Sequence, residues 1–158
     1  MERPPVLLYR LGRWFHRLGL PVLPGVLAWT GRLLFACFLP GSAKIGKRLT
    51  VGYWGLGVVV HKDTVIGDDC LIGQNVTIGR NFGDRRVPVL GDWVYVGAGS
   101  VVYGEITVGD GAVIGANSVV NRSVAPGQIV AGNPARPIGE TGGKNYRELD
   151  AEKLSQRG

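Results

Sequence analysis

Two histidines, His16 and His61, are the only side chains of this chain that ordinarily accept and return a proton near neutral pH. A general base for a hydroxyl group is therefore sought at one of these two positions. His61 stands in the repetitive stretch GLGVVVHKDTVIGDDCLIG, residues 55–73, whereas His16 stands in an arginine-rich N-terminal segment and is expected to be structural. From the residues alone, His61 is either a base or a solvated polar side chain.

The two cysteines, Cys37 and Cys70, stand far apart and form no CxxC motif. Neither a disulfide framework nor a zinc site is therefore indicated. We predict two buried thiols in a reducing compartment, and no metal.

A repeat of six residues runs from Val60 to Ala125. Its first position is aliphatic in every hexad except the one that starts at Asp84, and glycine is frequent at the second position. This period fits neither a helix nor a simple strand alternation. It fits short strands wound into triangular coils of about eighteen residues, which stack one aliphatic side chain on the next and give about four coils.

Counting in sixes also predicts the surroundings of His61. The equivalent residues one, two and three coils later are Gly79, Gly97 and Gly115. A histidine above a column of glycines would have open space beside it, where a cofactor or an acceptor could approach the backbone.

The chain carries 18 Lys and Arg against 12 Asp and Glu, a net charge of +6. This surplus favours anionic partners. The basic residues are dispersed and no zinc-finger, helix-turn-helix or RNA-binding motif is present, so no nucleic-acid partner is predicted. The N-terminus lacks an apolar signal-peptide region, so we predict a cytoplasmic protein.

Both ends differ from the repeat. Residues 1–41 are expected to form a helical segment, because apolar residues recur at helical spacing: Leu7, Leu8, Leu11, Trp14, Phe15 and Leu18. A second helix should follow Pro24, too short to span a bilayer. Two interpretations stay open for these helices, packing on the end of the coil or a neighbouring subunit, and peripheral contact with the inner membrane. Residues 140–158 are predicted to be a tail or short helix.

The repeat is closed by VVNRSVAPGQIVAGNPARPIG, residues 119–139. This combination resembles the hexapeptide-repeat acyltransferases, and within them the serine acetyltransferases, through GLGVVVHKDTVIGDDCLIGQNVTIG and GDRRVPVLGDWVYVGAGSVV. The resemblance covers residues 42–139. It implies an all-β repeat fold, a left-handed parallel β-helix, behind the short helical segment. It also implies a homotrimer with active sites shared between subunits.

The resemblance implies an acetyl-CoA-dependent O-acetyltransferase that acts on L-serine or a related small acceptor. A sugar hydroxyl of a cell-surface polysaccharide or its precursor is the alternative acceptor. Two other classes compete with this one. One is a non-catalytic β-helix scaffold, and the other is a metal enzyme such as a carbonic anhydrase, which would need about three histidine ligands where the repeat has one.

The resemblance also implies site residues. His61 becomes the candidate catalytic base, and Asp84, Arg85 and Arg86 match a GDRH acceptor-binding motif, with Arg86 in place of the histidine. Tyr53 and Trp54 fall where serine acetyltransferases have an Asp-His pair, so His61 would act in its place. Coenzyme A would contact six residues: Gly97, Ala98, Gly115, Ala116, Arg122 and Arg136.

Overall fold

The computed structural model describes residues 3–156, which form a solenoid of short strands with two helices before it and one after it. The helices are α1 (Pro4–Arg17), α2 (Leu23–Phe35) and α3 (Tyr146–Ser155). The strands are β1 (Lys44–Ile45), β2 (Thr50–Val51), β3 (Val59–Val60), β4 (Val65–Ile66), β5 (Leu71–Ile72), β6 (Thr77–Gly79), β7 (Val89–Leu90), β8 (Tyr95–Val96), β9 (Val101–Tyr103), β10 (Thr107–Val108), β11 (Val113–Ile114), β12 (Val119–Val120), β13 (Gln128–Ala131) and β14 (Arg136–Glu140).

The strands stack into three faces of a triangular coil. Face A contains β1, β4, β7 and β10, and face C contains β3, β6, β9 and β12. Face B contains β2, β5, β8, β11 and β13, and β14 adds to it antiparallel to β13. All other pairings are parallel, and the chain runs from A to B to C in each coil. The predicted stack of about four coils is confirmed.

The core is the aliphatic column predicted from the first position of each hexad. Each of these side chains is at most 2% exposed: Val60, Ile66, Ile72, Ile78, Leu90, Val96, Val102, Val108, Ile114 and Val120. Two-residue strands have few hydrogen bonds of their own. The stack is therefore held mainly by this column and by the backbone bonds between coils.

Two segments leave the regular coil. A 3-10 turn over Gly52–Gly55 bulges out between β2 and β3, which explains the broken period around residues 50–59. The second segment is the loop of residues 80–88, between β6 and β7. Ile78 and Leu90 are consecutive core positions although two hexads separate them, so the hexad that starts at Asp84 lies outside the stack.

This loop makes the predicted glycine column wrong. Ile78 pairs with Val102 and Gly79 with Tyr103, so Tyr103 follows Gly79 in the stack above His61. Asn121 comes next, because Val120 pairs with Val102. Counting in sixes fails here because the loop adds one hexad without adding a strand. It places Gly97 and Gly115 at the corner between faces B and C, one corner before that of His61.

The N-terminal helices pack on the first coil. Val6 and Tyr9 join the same buried core as the strands. The Tyr9 hydroxyl donates a hydrogen bond to the carbonyl of Ala43 at 2.9 Å and accepts one from the backbone N–H of Ile45 at 3.0 Å. Helix α1 therefore packs on the end of the coil, which is the first of the two interpretations left open by the sequence. Among residues 3–156, no helix is long and apolar enough to cross a membrane.

The C-terminal helix α3 begins with a capping box. Asn145 accepts from the N–H groups of Arg147 and Glu148, and the Glu148 side chain accepts from the N–H of Asn145. Such a cap offsets the unpaired donors of the first turn. The helix lies against the outer surface of face B, where the Tyr146 ring is 5.7 Å from that of Tyr95.

Candidate active site

His61 directly follows β3, at the corner between faces C and A. Its backbone N–H donates to the carbonyl of Ile78 at 2.8 Å, which fixes the residue in the stack. The side chain is 26% exposed, so the imidazole is reachable from solvent. Nδ1 accepts a hydrogen bond from the backbone N–H of Asp63 at 3.3 Å, and the Asp63 carboxylate lies 3.7 Å from the same nitrogen.

His61 lines a cavity of about 490 Å³ between this corner and the N-terminal helices. Its walls are mostly apolar, with Trp29 and Phe38 among them, and His16 lines the same cavity from the last turn of α1. His16, expected to be structural, thus shares a cavity with the candidate base. Sequence spacing could not reveal this, because the approach depends on how α1 folds back over the coil.

The loop of residues 80–88, which carries Asp84, Arg85 and Arg86, leaves the same corner as His61. The Arg86 guanidinium pairs with the Asp84 carboxylate at 3.0 Å and also contacts Glu105. Hydrogen bonds from Arg86 hold the pKa of Asp84 below its usual range. Arg86 is therefore committed to carboxylates of its own chain. Arg85 is exposed, and no ion pair of its side chain is found among residues 3–156.

Four of the predicted cofactor-binding residues meet at another corner, between faces B and C. A Cβ on Gly97 would lie 2.5 Å from the backbone nitrogen of Ala116, and one on Gly115 would lie 2.9 Å from the Cβ of Ala131. The backbone N–H of Asn117 donates to the Ala98 carbonyl at 2.8 Å. Small residues are thus needed for coil stacking, and together they leave an edge without large side chains.

The two arginines predicted to bind coenzyme A phosphates are separated. Arg136 in β14 is the strand partner of Ala131 in β13. Ala131 in turn continues the stack of small residues at the B–C corner. Arg122 follows β12 and lies at the C–A corner, the His61 corner. Within one chain, Arg136 adjoins the small-residue edge, whereas Arg122 lies on the His61 corner, two strands beyond the loop of residues 80–88 along face C.

Tyr53 and Trp54 occupy the 3-10 turn at the B–C corner. Tyr53 is 78% exposed and Trp54 is 49% exposed, and both have positive φ angles, 45° and 58°. The Trp54 ring packs against that of Phe35 at 5.8 Å between centroids. Two exposed aromatic rings therefore stand where the resemblance to serine acetyltransferases expects an acid and a histidine.

Three further residues near His61 were not predicted. The only sequence feature that could have pointed to Asp63 is its position two residues after His61. Tyr103 and Asn121 follow from the true register, and the Asn121 amide donates to the Tyr103 hydroxyl at 3.5 Å. Over residues 3–156, no group of three or more His, Cys, Asp or Glu side chains has the arrangement of a metal site.

The repeat region of the chain is similar to known families of hexapeptide-repeat proteins. Residues 88–122 match the bacterial transferase hexapeptide (six repeats), and residues 63–86 match the hexapeptide repeat of succinyl-transferase. Serine acetyltransferase from Synechococcus elongatus is 37% identical over 74 residues, 47% of this chain.

Solved structures extend the match over most of the chain. The crystal structure of serine acetyltransferase from Brucella abortus strain S19 has a TM-score of 0.83 and 33% identity over 88% of this chain. The same enzyme in complex with coenzyme A matches 87% of this chain with the same TM-score and identity. The chain spans 57% and 55% of these two chains and 30% of the Synechococcus enzyme.

Parts of the repeat are similar to bacterial transferase hexapeptide repeats, and the fold is the left-handed parallel β-helix that the resemblance implied. The chain is similar to serine acetyltransferases in both sequence and structure.

Proposed function

We propose that this protein is an acetyl-CoA-dependent O-acetyltransferase. The observation that carries the proposal is the 33% identity, over 87% of the chain, to a serine acetyltransferase solved with coenzyme A. The small-residue edge at the B–C corner fits the proposal, because an extended pantetheine chain needs backbone that it can approach closely. Gly97, Ala98, Gly115 and Ala116 would border it, and Arg136 would bind phosphate at one end.

In the proposed reaction, Nε2 of His61 takes the proton from the acceptor hydroxyl as its oxygen attacks the thioester carbonyl carbon. The tetrahedral oxyanion collapses with cleavage of the carbon–sulfur bond. The departing thiolate recovers the proton from the imidazolium, so the products are the acetyl ester and coenzyme A. Direct transfer is favoured because burial raises the pKa of both Cys37 and Cys70 to about 12, which leaves the thiols protonated and poor nucleophiles.

A site shared between subunits follows from the separation of these groups. His61 and Arg85 belong to the C–A corner, and the small residues belong to the B–C corner, at the opposite edge of face C. A ring of three copies can bring the B–C corner of one subunit against the C–A corner of the next. The proposal therefore includes a homotrimer, in which Arg122 of one subunit contributes to the neighbour's cofactor site.

The first candidate acceptor is L-serine or a related small hydroxyl compound. Supporting it are the serine acetyltransferase likeness and the exposed Arg85 guanidinium, which is suited to a carboxylate. The second candidate is a sugar hydroxyl of a cell-surface polysaccharide or its precursor. It is favoured by the exposed rings of Tyr53 and Trp54, since aromatic faces offer broad apolar contact, and by the pairing of Arg86 with its own chain.

The proposal places the reaction in the cytoplasm, with the N-terminal helices in peripheral contact with the inner membrane. The chain's lack of paired or closely spaced cysteines fits a reducing compartment.

The test is release of coenzyme A thiol from acetyl-CoA by the purified protein, with L-serine and a panel of free and nucleotide-linked sugars as acceptors. We expect one acceptor class to accelerate release well above the rate without acceptor. If no acceptor raises the rate and acetyl-CoA does not bind, the protein is a non-catalytic scaffold instead.

A further inference from the structure

Helix α1 packs on the coil through the face that carries Val6, Tyr9 and Gly12. An apolar stripe on another face of the helix is left exposed. The stripe consists of Leu7, Leu11, Trp14 and Leu18, at a spacing of three or four residues, and these side chains are 52%, 44%, 55% and 55% exposed. The stripe therefore has no cover within the described residues. The sequence left open whether these residues pack on the coil or a neighbouring subunit or contact a membrane.

Helix α2 has the same property. Val26, Trp29 and Leu33 follow one another at helical spacing and are 53%, 59% and 81% exposed. Exposed leucine and tryptophan on two neighbouring helices exceed the scattered apolar residues of an ordinary surface.

The charge of this part of the chain is also one-sided. Residues 3–62 contain nine Lys and Arg and no Asp or Glu, whereas residues 63–158 contain nine basic and eleven acidic residues. The net positive charge of the protein therefore comes from the N-terminal portion alone.

A groove concentrates these charges beside the α1 stripe. It has a volume of about 950 Å³, lies between α1 and face A, and has Trp14 among its lining residues and Asp68 as its one acidic lining residue. Its basic lining residues are Arg10, Arg13, Arg17, Lys44, Lys47 and Arg48. Arg10 and Arg13 donate to backbone carbonyls of the first coil, and Arg48 pairs with Asp69, so the groove is held in shape.

We propose that α1, α2 and this groove form a docking surface for an anionic phospholipid bilayer. The leucine and tryptophan side chains enter the interfacial region, and the arginines and lysines contact lipid phosphates. Tryptophan suits this depth because its ring is apolar and its N–H remains near water. The helices lie on the bilayer and do not cross it.

A second copy of the chain is the competing occupant of the stripe. Charge argues against it, because the residues beside each stripe are basic and residues 3–62 supply no carboxylate to face them. Two such surfaces brought together would repel one another, whereas an anionic bilayer supplies the missing charge.

Vesicle sedimentation tests this surface without acetyl-CoA or an acceptor, so its outcome is independent of the acyl-transfer proposal. The full chain should bind vesicles of phosphatidylcholine mixed with phosphatidylglycerol, bind phosphatidylcholine alone much more weakly, and be released by salt. Trp14→Ser and Arg17→Glu should each weaken binding by about tenfold or more. Ile138→Ser removes a side chain that is 67% exposed in β14, far along the coil, and should leave binding unchanged.

Circular dichroism of each variant checks that the fold is intact. Equal binding to neutral and anionic vesicles, or no binding to either, would overturn the proposal. So would a fall in oligomeric mass of Trp14→Ser in sedimentation velocity with unchanged vesicle binding, because the stripe would then be a contact between copies.

Discussion

The backbone N–H of Asp63 donates to Nδ1 of His61 at 3.3 Å, and the Asp63 carboxylate lies 3.7 Å from that nitrogen. In this geometry Nδ1 is unprotonated, so a neutral imidazole carries its proton on Nε2. For Nε2 to accept a proton, Nδ1 must hold one. The Asp63 carboxylate is the neighbouring acceptor that a small rotation would bring into reach, which makes His61 and Asp63 a candidate acid–base pair.

Replacing His61 by Ala should lower kcat by about 10²–10⁴-fold, the usual contribution of a general base. Asp63→Asn should lower it by about tenfold, because a neutral amide oxygen accepts a hydrogen bond from Nδ1–H but lacks the charge with which a carboxylate stabilises the imidazolium. Steady-state assay of coenzyme A release measures both, and Lys62→Ala is the matched control between them. A His61→Ala protein that is folded and as active as the parent would exclude His61 as the base.

Arg136→Ala should raise KM for acetyl-CoA by about tenfold or more and change kcat little, since it removes a charged contact to phosphate. Initial rates at varied acetyl-CoA and saturating acceptor give both constants. Arg147→Ala, on α3 and away from the small-residue edge, serves as the control. A rise confined to the acceptor KM would place Arg136 on the other side of the site.

Arg85→Ala and Arg86→Ala should differ. Arg85 is exposed and able to reach a ligand, so its loss should raise the acceptor KM by about tenfold. Arg86 is paired with Asp84 and Glu105, so its loss should loosen the loop, which protease sensitivity near Phe82 would report. Equal effects on the acceptor KM with no change in proteolysis would contradict this division of roles.

The buried thiol of Cys70 should make the protein less stable at alkaline pH. Burial raises its pKa to about 12, whereas in the unfolded chain a thiol ionises near about 8.5. Between these values the unfolded state has lost a proton that the folded state keeps. The free energy of unfolding therefore falls as pH rises, by about 1.4 kcal/mol per pH unit for this group.

Urea unfolding at pH 7 and pH 10 checks the effect. Between these two pH values, the free energy of unfolding should fall by about 2 kcal/mol more for the parent than for Cys70→Ala. The Cys70 Sγ donates to the Gly91 carbonyl at 3.2 Å, so the variant should be less stable at both values. Parallel pH curves for the two proteins would show that Cys70 is not shielded from ionisation.

The coil could be predicted from residues such as Val60, Ile66 and Ile72. Their six-residue spacing is visible in the sequence, and this spacing is what puts each side chain in the buried column. The column above His61 was predicted wrongly, since a loop that adds one hexad leaves the hydrophobic pattern intact while shifting the stack. Which apolar face of α1 packs on the coil was left open by the sequence. Apolar periodicity shows that a helix has an apolar face, but it does not reveal which face packs on the coil. In α1 the packed face is the one that carries Tyr9 and Gly12.

The partnership of His61 with Asp63 and the sharing of a cavity with His16 depend on side-chain direction and on the folding back of α1. Neither follows from the repeat. By contrast, the small residues Gly97, Ala98, Gly115 and Ala116 were grouped correctly, because all four lie beyond the loop and keep a constant spacing from one another.

The loop of residues 80–88 leaves the coil and returns to it with the core column uninterrupted from Ile78 to Leu90. At its tip, Phe82 is fully exposed and a side chain at Gly83 would meet no atom within 4 Å. Residues added at the tip of this loop would therefore leave the core column of their own subunit intact. A peptide epitope inserted after Phe82 would be displayed once per subunit on a rigid rod, at a height along the rod set by the strands on either side.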